Sequence, residues 1–287
     1  MRTILVATDF SERSDRALRR ATLFARAQGA KLVLVHGVDD DQPDRLANSA
    51  RHEAEALILE LKTTIVSHDG VSCEGVVVAG PIDEAVTAAA EDHDADLLIV
   101  GSHRTRPFHD VFLGTTVDRI LRRSLRPVLM AKATPAGPHH RALFASNMSE
   151  GCSNAIRRAG ELGLLSDVHL TAIHVFAAPG QELMLQASAS TKEVLAYVES
   201  ERGRATRKFE VWLEANGLEP EVAFAELAEV ATAETIVDCA EEMKADLIIL
   251  GTQARSSLKR FVLGSVAQGV LRAARCDVLV APPPPAA

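Results

Sequence analysis

Asp96-Leu-Leu-Ile-Val-Gly101 reappears as Asp246-Leu-Ile-Ile-Leu-Gly251, 150 positions further on. At the same offset, Leu113-Gly114-Thr115 returns as Leu263-Gly264-Ser265. So does Leu121-Arg-Arg-Ser-Leu-Arg-Pro-Val-Leu-Met-Ala131, as Leu271-Arg-Ala-Ala-Arg-Cys-Asp-Val-Leu-Val-Ala281. Upstream the offset is 138: Val6-Ala-Thr-Asp-Phe-Ser11 aligns with Phe144-Ala-Ser-Asn-Met-Ser149, and His36 with His174. The second copy therefore carries an insertion of 12 residues in its middle. The repeat is too long for a solenoid unit. It reads as two copies of one domain, residues 1–134 and 139–287, joined near Thr134-Pro-Ala-Gly-Pro138. Proline and glycine there suit a linker.

Composition agrees with two packed domains. The 287 residues are 47% hydrophobic and 24% charged, which supplies real cores and excludes a disordered chain. A formal charge of −8 is the wrong sign for gripping nucleic-acid phosphates. Aromatic residues are only 4%, which disfavours stacking on single strands. No stretch approaches the roughly 20 apolar residues of a membrane span. The N-terminal apolar run reaches Asp9 and is too short for a signal peptide. Cys73, Cys152, Cys239 and Cys276 lack CxxC spacing. Together these features lead us to expect a reduced, cytoplasmic protein whose cysteines are small apolar residues, not nucleophiles.

Within each half, strands and helices alternate. In the first, Thr3–Ala7, Lys31–His36, Val76–Val78, Leu97–Val100 and Val128–Ala131 read as strands. Arg13–Gln28, Asp44–Ser67, Pro81–Asp92 and Thr116–Arg123 read as helices. The second half repeats the pattern, with a longer helical segment at about Leu183–Ala215. Short apolar strands covered by helices predict an α/β fold: a doubly wound parallel sheet of five strands in each half. Ligands of such sheets sit at the carboxyl ends of the strands. Asp9, Gly80-Pro81, Gly101-Ser-His-Arg104 and Gly114-Thr115-Thr116 all follow strands or open a helix there. The last turn offers free N–H groups and hydroxyls suited to phosphate oxygens.

At these residues the chain resembles the universal stress proteins, in their tandem two-domain form. Nucleotide-binding members carry Gly-x2-Gly-x9-Gly-(Ser/Thr) after strand four. Here the first half reads Gly101-x2-Arg104-x9-Gly114-Thr115 and the second Gly251-x2-Ala254-x9-Gly264-Ser265. Both spacings fit, and both middle glycines are replaced. Thr8-Asp9 resembles the family's adenosine-contacting aspartate segment, Gly80-Pro81 its glycine–proline turn, and Val38 the position of a backbone contact to adenine. The resemblance implies strand order 3-2-1-4-5 in each half. It also implies that Pro127–Ala131 and Asp277–Ala281 meet inside one chain as a pseudo-dimer.

The second half departs further: Asn147 replaces the aspartate and Phe176 stands where Val38 does. Glu226-Leu-Ala-Glu-Val230 replaces the glycine–proline turn and is expected to bring two carboxylates near any phosphate. Gly264-Ser265-Val266 is intact. The first half is thus expected to be the better site for ATP or another adenine nucleotide, and the second degenerate. Each feature also has a structural reading. Glycines after strands serve tight turns alone, and Asp9 with Ser11 can cap a helix. Arg104 and Arg255 suit solvated loops, and His36 and His174 suit packed structural positions. His139-His140 in the linker lacks further metal ligands. Arg104 is expected to obstruct a phosphate more than it attracts one.

The leading reading is a stress-response regulatory or interaction module that binds adenine nucleotide, with no catalysis beyond slow incidental hydrolysis. A scaffold with vestigial pockets is the alternative. Neither a nucleotidyl-transfer signature nor a Ser/His/Asp constellation is present. Expected partners are the nucleotide, a protein of unspecified identity, and a second copy of the chain. No metal is expected.

Overall fold

The chain was described from a computed structural model, which covers residues 1–38, 41, 43–102, 115–228, 230–254 and 261–282. The first half runs β1 (Thr3–Ala7), α1 (Glu12–Gln28), β2 (Lys31–Val38), α2 (Asp44–Thr64), β3 (Cys73–Ala79), α3 (Ile82–Asp92), β4 (Leu97–Gly101), α4 (Thr115–Arg123) and β5 (Val128–Ala131). The second runs β6 (Arg141–Ala145), α5 (Glu150–Glu161), β7 (His169–Phe176), α6 (Gly180–Gln186), α7 (Thr191–Ala215), β8 (Val222–Leu227), α8 (Thr232–Glu242) and β9 (Leu247–Gly251). It continues through β10 (Gln253–Ala254), β11 (Phe261–Val262), α9 (Ser265–Ala273) and β12 (Asp277–Ala281).

Local chemistry sets the element ends. Ser11 caps α1, and Gly29, in the left-handed region at φ 63°, stops it. The repeated aspartate before strand four pins the start of strand one. Asp96 accepts from the N–H of Thr3 at 3.0 Å, and Asp246 from those of His140 and Arg141 at 2.8 and 3.1 Å.

Ten of the described strands form one sheet in the order β3-β2-β1-β4-β5-β12-β9-β6-β7-β8, and β10 and β11 pair apart from it. Each half therefore has the order 3-2-1-4-5. Within a half every pairing of this ten-stranded sheet is parallel. The halves join through β5 and β12, which pair antiparallel with Leu279 opposite Leu129. This is the expected intramolecular pseudo-dimer, and its physical cause is plain. Val128, Leu129, Met130, Val278, Leu279 and Val280 are all at most 2% exposed. Each such burial is worth about 1.5–3 kcal/mol, and pairing also satisfies two edges. Alternate residues face two cores. Ile4, Val6, Leu129 and Leu279 face one, with α1, α2, α5 and α7. Leu5, Leu98, Val128 and Val278 face the other, with α3, α4, α8 and α9. Both cores run without a break across the junction.

Two expectations are refined, and one element is new. The helical segment expected at about Leu183–Ala215 consists of two helices, because Ser190 and Glu193 form a reciprocal capping box that starts α7 afresh. Ser188, at φ 59°, makes the break. The α2 pattern leaves α geometry after Thr64 for a π turn at Ile65–Asp69, closed by Gly70 at φ 67°. Finally, the β10–β11 hairpin was not expected from the sequence. It pairs Gln253 with Val262 and Ala254 with Phe261, just after strand four of the second half.

Candidate functional site

The carboxyl ends of β1 and β6 build the same turn twice. In the first half Thr8 is buried, its Oγ1 accepts from the Phe10 N–H at 3.1 Å and lies 3.1 Å from Ser14 Oγ. Asp9 Oδ1 accepts from the N–H and hydroxyl of Ser11, so Asp9 does serve the helix start. Phe10 takes φ 57° and stacks on His36 at 4.4 Å. In the second half Ser146 Oγ accepts from the Met148 N–H at 3.0 Å and Asn147 Oδ1 from that of Ser149 at 3.1 Å. Met148 takes φ 61°. Cys152 occupies the place of Ser14, and its thiol donates to Asn147 Oδ1 at 3.2 Å. His36 and His174 each place Nδ1 2.8–2.9 Å from a carbonyl of this turn, that of Thr8 or Ser146.

The two turns differ in charge. The Asp9 side chain is 65% exposed. Partial burial alone would raise its carboxyl. The Ser11 and Ser14 hydroxyls, the Ser11 N–H and the Arg13 guanidinium outweigh that and hold it below the usual carboxylate range. A full anion therefore faces solvent at the end of β1, where Asn147 offers only an amide.

Gly80 takes φ 116°, which a side chain rarely tolerates, and its N–H donates to the Val38 carbonyl at 3.0 Å. Pro81 then begins α3. In the second half Ala228 makes the equivalent bond to the Phe176 carbonyl at 2.8 Å. Glu226, expected near a phosphate, is instead part of β8 and pairs with Arg202 at 3.2 Å. It is absent from the lining of the cavity at Asn147: it shares the α8 face of β8 with Phe224, while Ala225 and Leu227 face α7, and on this edge strand Arg202 of α7 reaches it. Glu229 lies outside the described residues.

Gly101 and Gly251 end β4 and β9, where strand and helix backbones nearly touch. A Cβ on Gly101 would lie 2.7 Å from the Arg13 oxygen; one on Gly251 would lie 2.5 Å from the Gly151 carbonyl. Close packing is thus reason enough for these two glycines. Gly264 is different. It begins α9 at φ −65°, and an added Cβ would meet nothing within 4 Å. Neither packing nor conformation explains it. Ser265 and Val266 follow it, exposed. Gly251, Gly264, Ser265 and Val266 come together with Asn147 and Cys152 around a cavity of about 380 Å³. That is large enough for a small organic ligand. Its floor is aliphatic, with Ile173, Ile236 and Leu250. Ala254 stands on β10.

In the first half, Arg104 and Gly114 lie outside the described residues, as does Arg255 in the second. Thr115 and Thr116 open α4. The cysteines are free, and burial pushes Cys73 and Cys239 up to about 11 and Cys276 to about 12. Among the described residues no His/Cys/Asp/Glu group could hold a metal, and no helix is long and apolar enough to cross a membrane.

A strand-end turn built twice, on two half-sheets joined edge to edge, defines a tandem α/β protein. The chain belongs to the universal stress protein family, whose sequence pattern matches residues 1–132 and again 138–282. It is 24% identical to universal stress protein E of Escherichia coli K12 over 297 aligned positions, covering 98% of this chain and 93% of that protein. A universal stress protein from Thermus aquaticus is 30% identical over 136 positions, 46% of this chain and 98% of the relative. Among solved structures, a universal stress protein from Archaeoglobus fulgidus superposes with a TM-score of 0.72 at 20% identity, covering 98% of each chain. A functionally unknown protein from Pseudomonas aeruginosa PAO1 gives 0.65 at 22% identity, over 99% and 93%. These two likenesses bear on the fold alone.

Proposed function

We propose that the chain is a cytoplasmic regulatory module that binds ATP or another adenine nucleotide at its strand ends, the first half being the better site. The observation that carries this ranking is the Asp9–Asn147 difference between two otherwise matching turns. Of the two strand-end turns, only that of the first half presents an ionised acceptor able to take hydroxyl donors of a ribose. Only the first half keeps the open Gly80-Pro81 turn beside Val38. Thr8, Gly101, Arg104, Gly114, Thr115 and Thr116 complete the site on this reading. Binding, not turnover, is the proposed activity, and the output passes to a protein partner or a second copy of the chain.

The cavity beneath Gly264 favours a second reading, in which the second half is the occupied one. Equilibrium dialysis with labelled ATP separates them. Asp9→Ala abolishes most binding on the first reading. Gly264→Val, whose side chain would project into open space, abolishes it on the second. A wild-type chain that retains no nucleotide at millimolar concentration overturns both and leaves an interaction scaffold.

A further inference from the structure

Asp277 opens β12 and is fully buried, yet every contact of its carboxylate reaches residues far away in sequence. Oδ2 accepts from Arg20 Nε of α1 at 2.7 Å and from His139 Nε2 at 3.0 Å. Oδ1 accepts from the N–H of Lys132 at 2.9 Å and of Ala133 at 3.3 Å. Arg20 also donates from Nη1 to the Gly137 carbonyl at 2.6 Å. Arg20, His139 and Asp277 are 4%, 3% and 0% exposed. The Phe24 ring closes the cluster, edge-on to His139 at 5.5 Å and under Arg20 at 5.7 Å. Lys132 Nζ reaches the last carbonyls of α9, Leu271 at 2.9 Å and Arg272 at 3.2 Å.

The cluster occurs once, although the sheet is built twice. Under the repeat offsets, Arg20, Asp277 and His139 correspond to Arg158, Pro127 and Met1. Arg158 instead pairs with Glu161 near the surface. By contrast, a bond that the joined sheets need on both sides is present on both. Arg16 donates to the Lys132 carbonyl at 3.3 Å, and the matching Asn154 to that of Pro282 at 2.6 Å. What the cluster adds is contact with residues 132–139, the connector itself. The Pro/Gly segment that reads as a loose linker is tied down at Lys132, Ala133, Gly137 and His139.

We infer that Arg20, Asp277 and His139 form a latch that straps the connector across the β5–β12 junction and makes the two halves open as one unit. A buried carboxylate with four donors and one buried guanidinium is neutral as a group, and losing one partner leaves the other charge uncompensated. His139 is the releasable part, because the Arg20–Asp277 pair does not depend on it and its Nδ1 has no hydrogen-bond partner among the described residues.

The test is tryptic cleavage of the full chain at the Lys132–Ala133 bond, timed by mass spectrometry under native conditions. His139→Ala is expected to speed that cut by about tenfold or more, with unchanged far-ultraviolet circular dichroism. Asp277→Asn is expected to do the same and to split urea unfolding into two steps. Should Asp277→Asn fail to fold, the double variant Arg20→Met with Asp277→Met, which buries no charge, is read in its place with the same expectation. Cleavage of His139→Ala at the wild-type rate overturns the latch. So does a single wild-type-like unfolding step in the Asp277 variant.

Discussion

Gly251 and Gly151 approach so closely that a methyl group on the first would stand 2.5 Å from the carbonyl of the second. Strand β9 and helix α5 are in backbone contact there. Gly251→Ala should therefore push them apart and cost about 1–3 kcal/mol. Gly264→Ala should change stability by less than about 1 kcal/mol, since its site is open and its φ suits any residue. Thermal melts of the two variants check the contrast. Equal destabilisation would mean that Gly264, too, is a packing glycine.

Asp9→Ala should weaken ATP binding, while Asn147→Ala should change it little. Losing a charge-assisted hydrogen bond costs about 1.5–3 kcal/mol, roughly tenfold or more in affinity. Calorimetric titration reads both. Because Asp9 also bonds Ser11, the helix start must be monitored; Asp9→Asn keeps that turn, as Asn147 does, and should still lose most of the binding.

The sheet was legible because its strands are short apolar runs and because the chain states its pattern twice. Two copies at offsets 150 and 138 indicated the domain count and the insertion, while the facing edges came from the family resemblance alone. What escaped sequence reasoning depended on distant partners. Nothing near His139 announces Asp277, which lies 138 positions away and meets it only after β5 and β12 pair. Glu226 read as a hazard to phosphate because its partner was not visible; Arg202, 24 positions upstream on α7, pairs with it instead. The Ser190-x-x-Glu193 box went unread, although that spacing is a helix-start signal, and it marks where α7 begins. Cys152 could have been found from its alignment with Ser14.

Asp277 should give the protein a sensitive acid limb. Burial alone would raise its carboxyl, but the His139 hydrogen bond, the Arg20 charge and the Lys132 N–H more than offset this and lower it from 3.8. A depressed folded pKa contributes stability that is present above the unfolded value and lost as pH falls through the folded one. Urea midpoints of the wild type should therefore hold down to about pH 4 and drop below it. The first urea transition of Asp277→Asn should fall below the wild-type midpoint at neutral pH, and that gap should narrow below about pH 4. A gap that stays constant with pH would mean that the carboxylate's charge is immaterial.

Lys132 should titrate at an unusual place, and its sign is opposite. Burial lowers its ammonium from 10.5 to about 8, with only a small opposing pull from the nearby Cys276 sulfur. The Leu271 and Arg272 carbonyls at the end of α9 hold the charged form but do not make up for lost water. Between about pH 8 and 10.5 the unfolded chain then binds more protons than the folded one, so this group's contribution to stability rises with pH. Buried cysteines work the other way, because Cys276 at about 12 keeps its proton while an unfolded thiol loses its own. Comparison with Lys132→Met, which keeps all four cysteines, cancels their effect to first order. The wild type should gain on the variant as pH is raised from about 7.5 to 9.5, and the ε-carbon resonance of Lys132 should shift with a midpoint near 8. A midpoint above about 10 with a flat stability difference would show that water reaches the amine and that the α9 carbonyls hold an ordinary surface lysine.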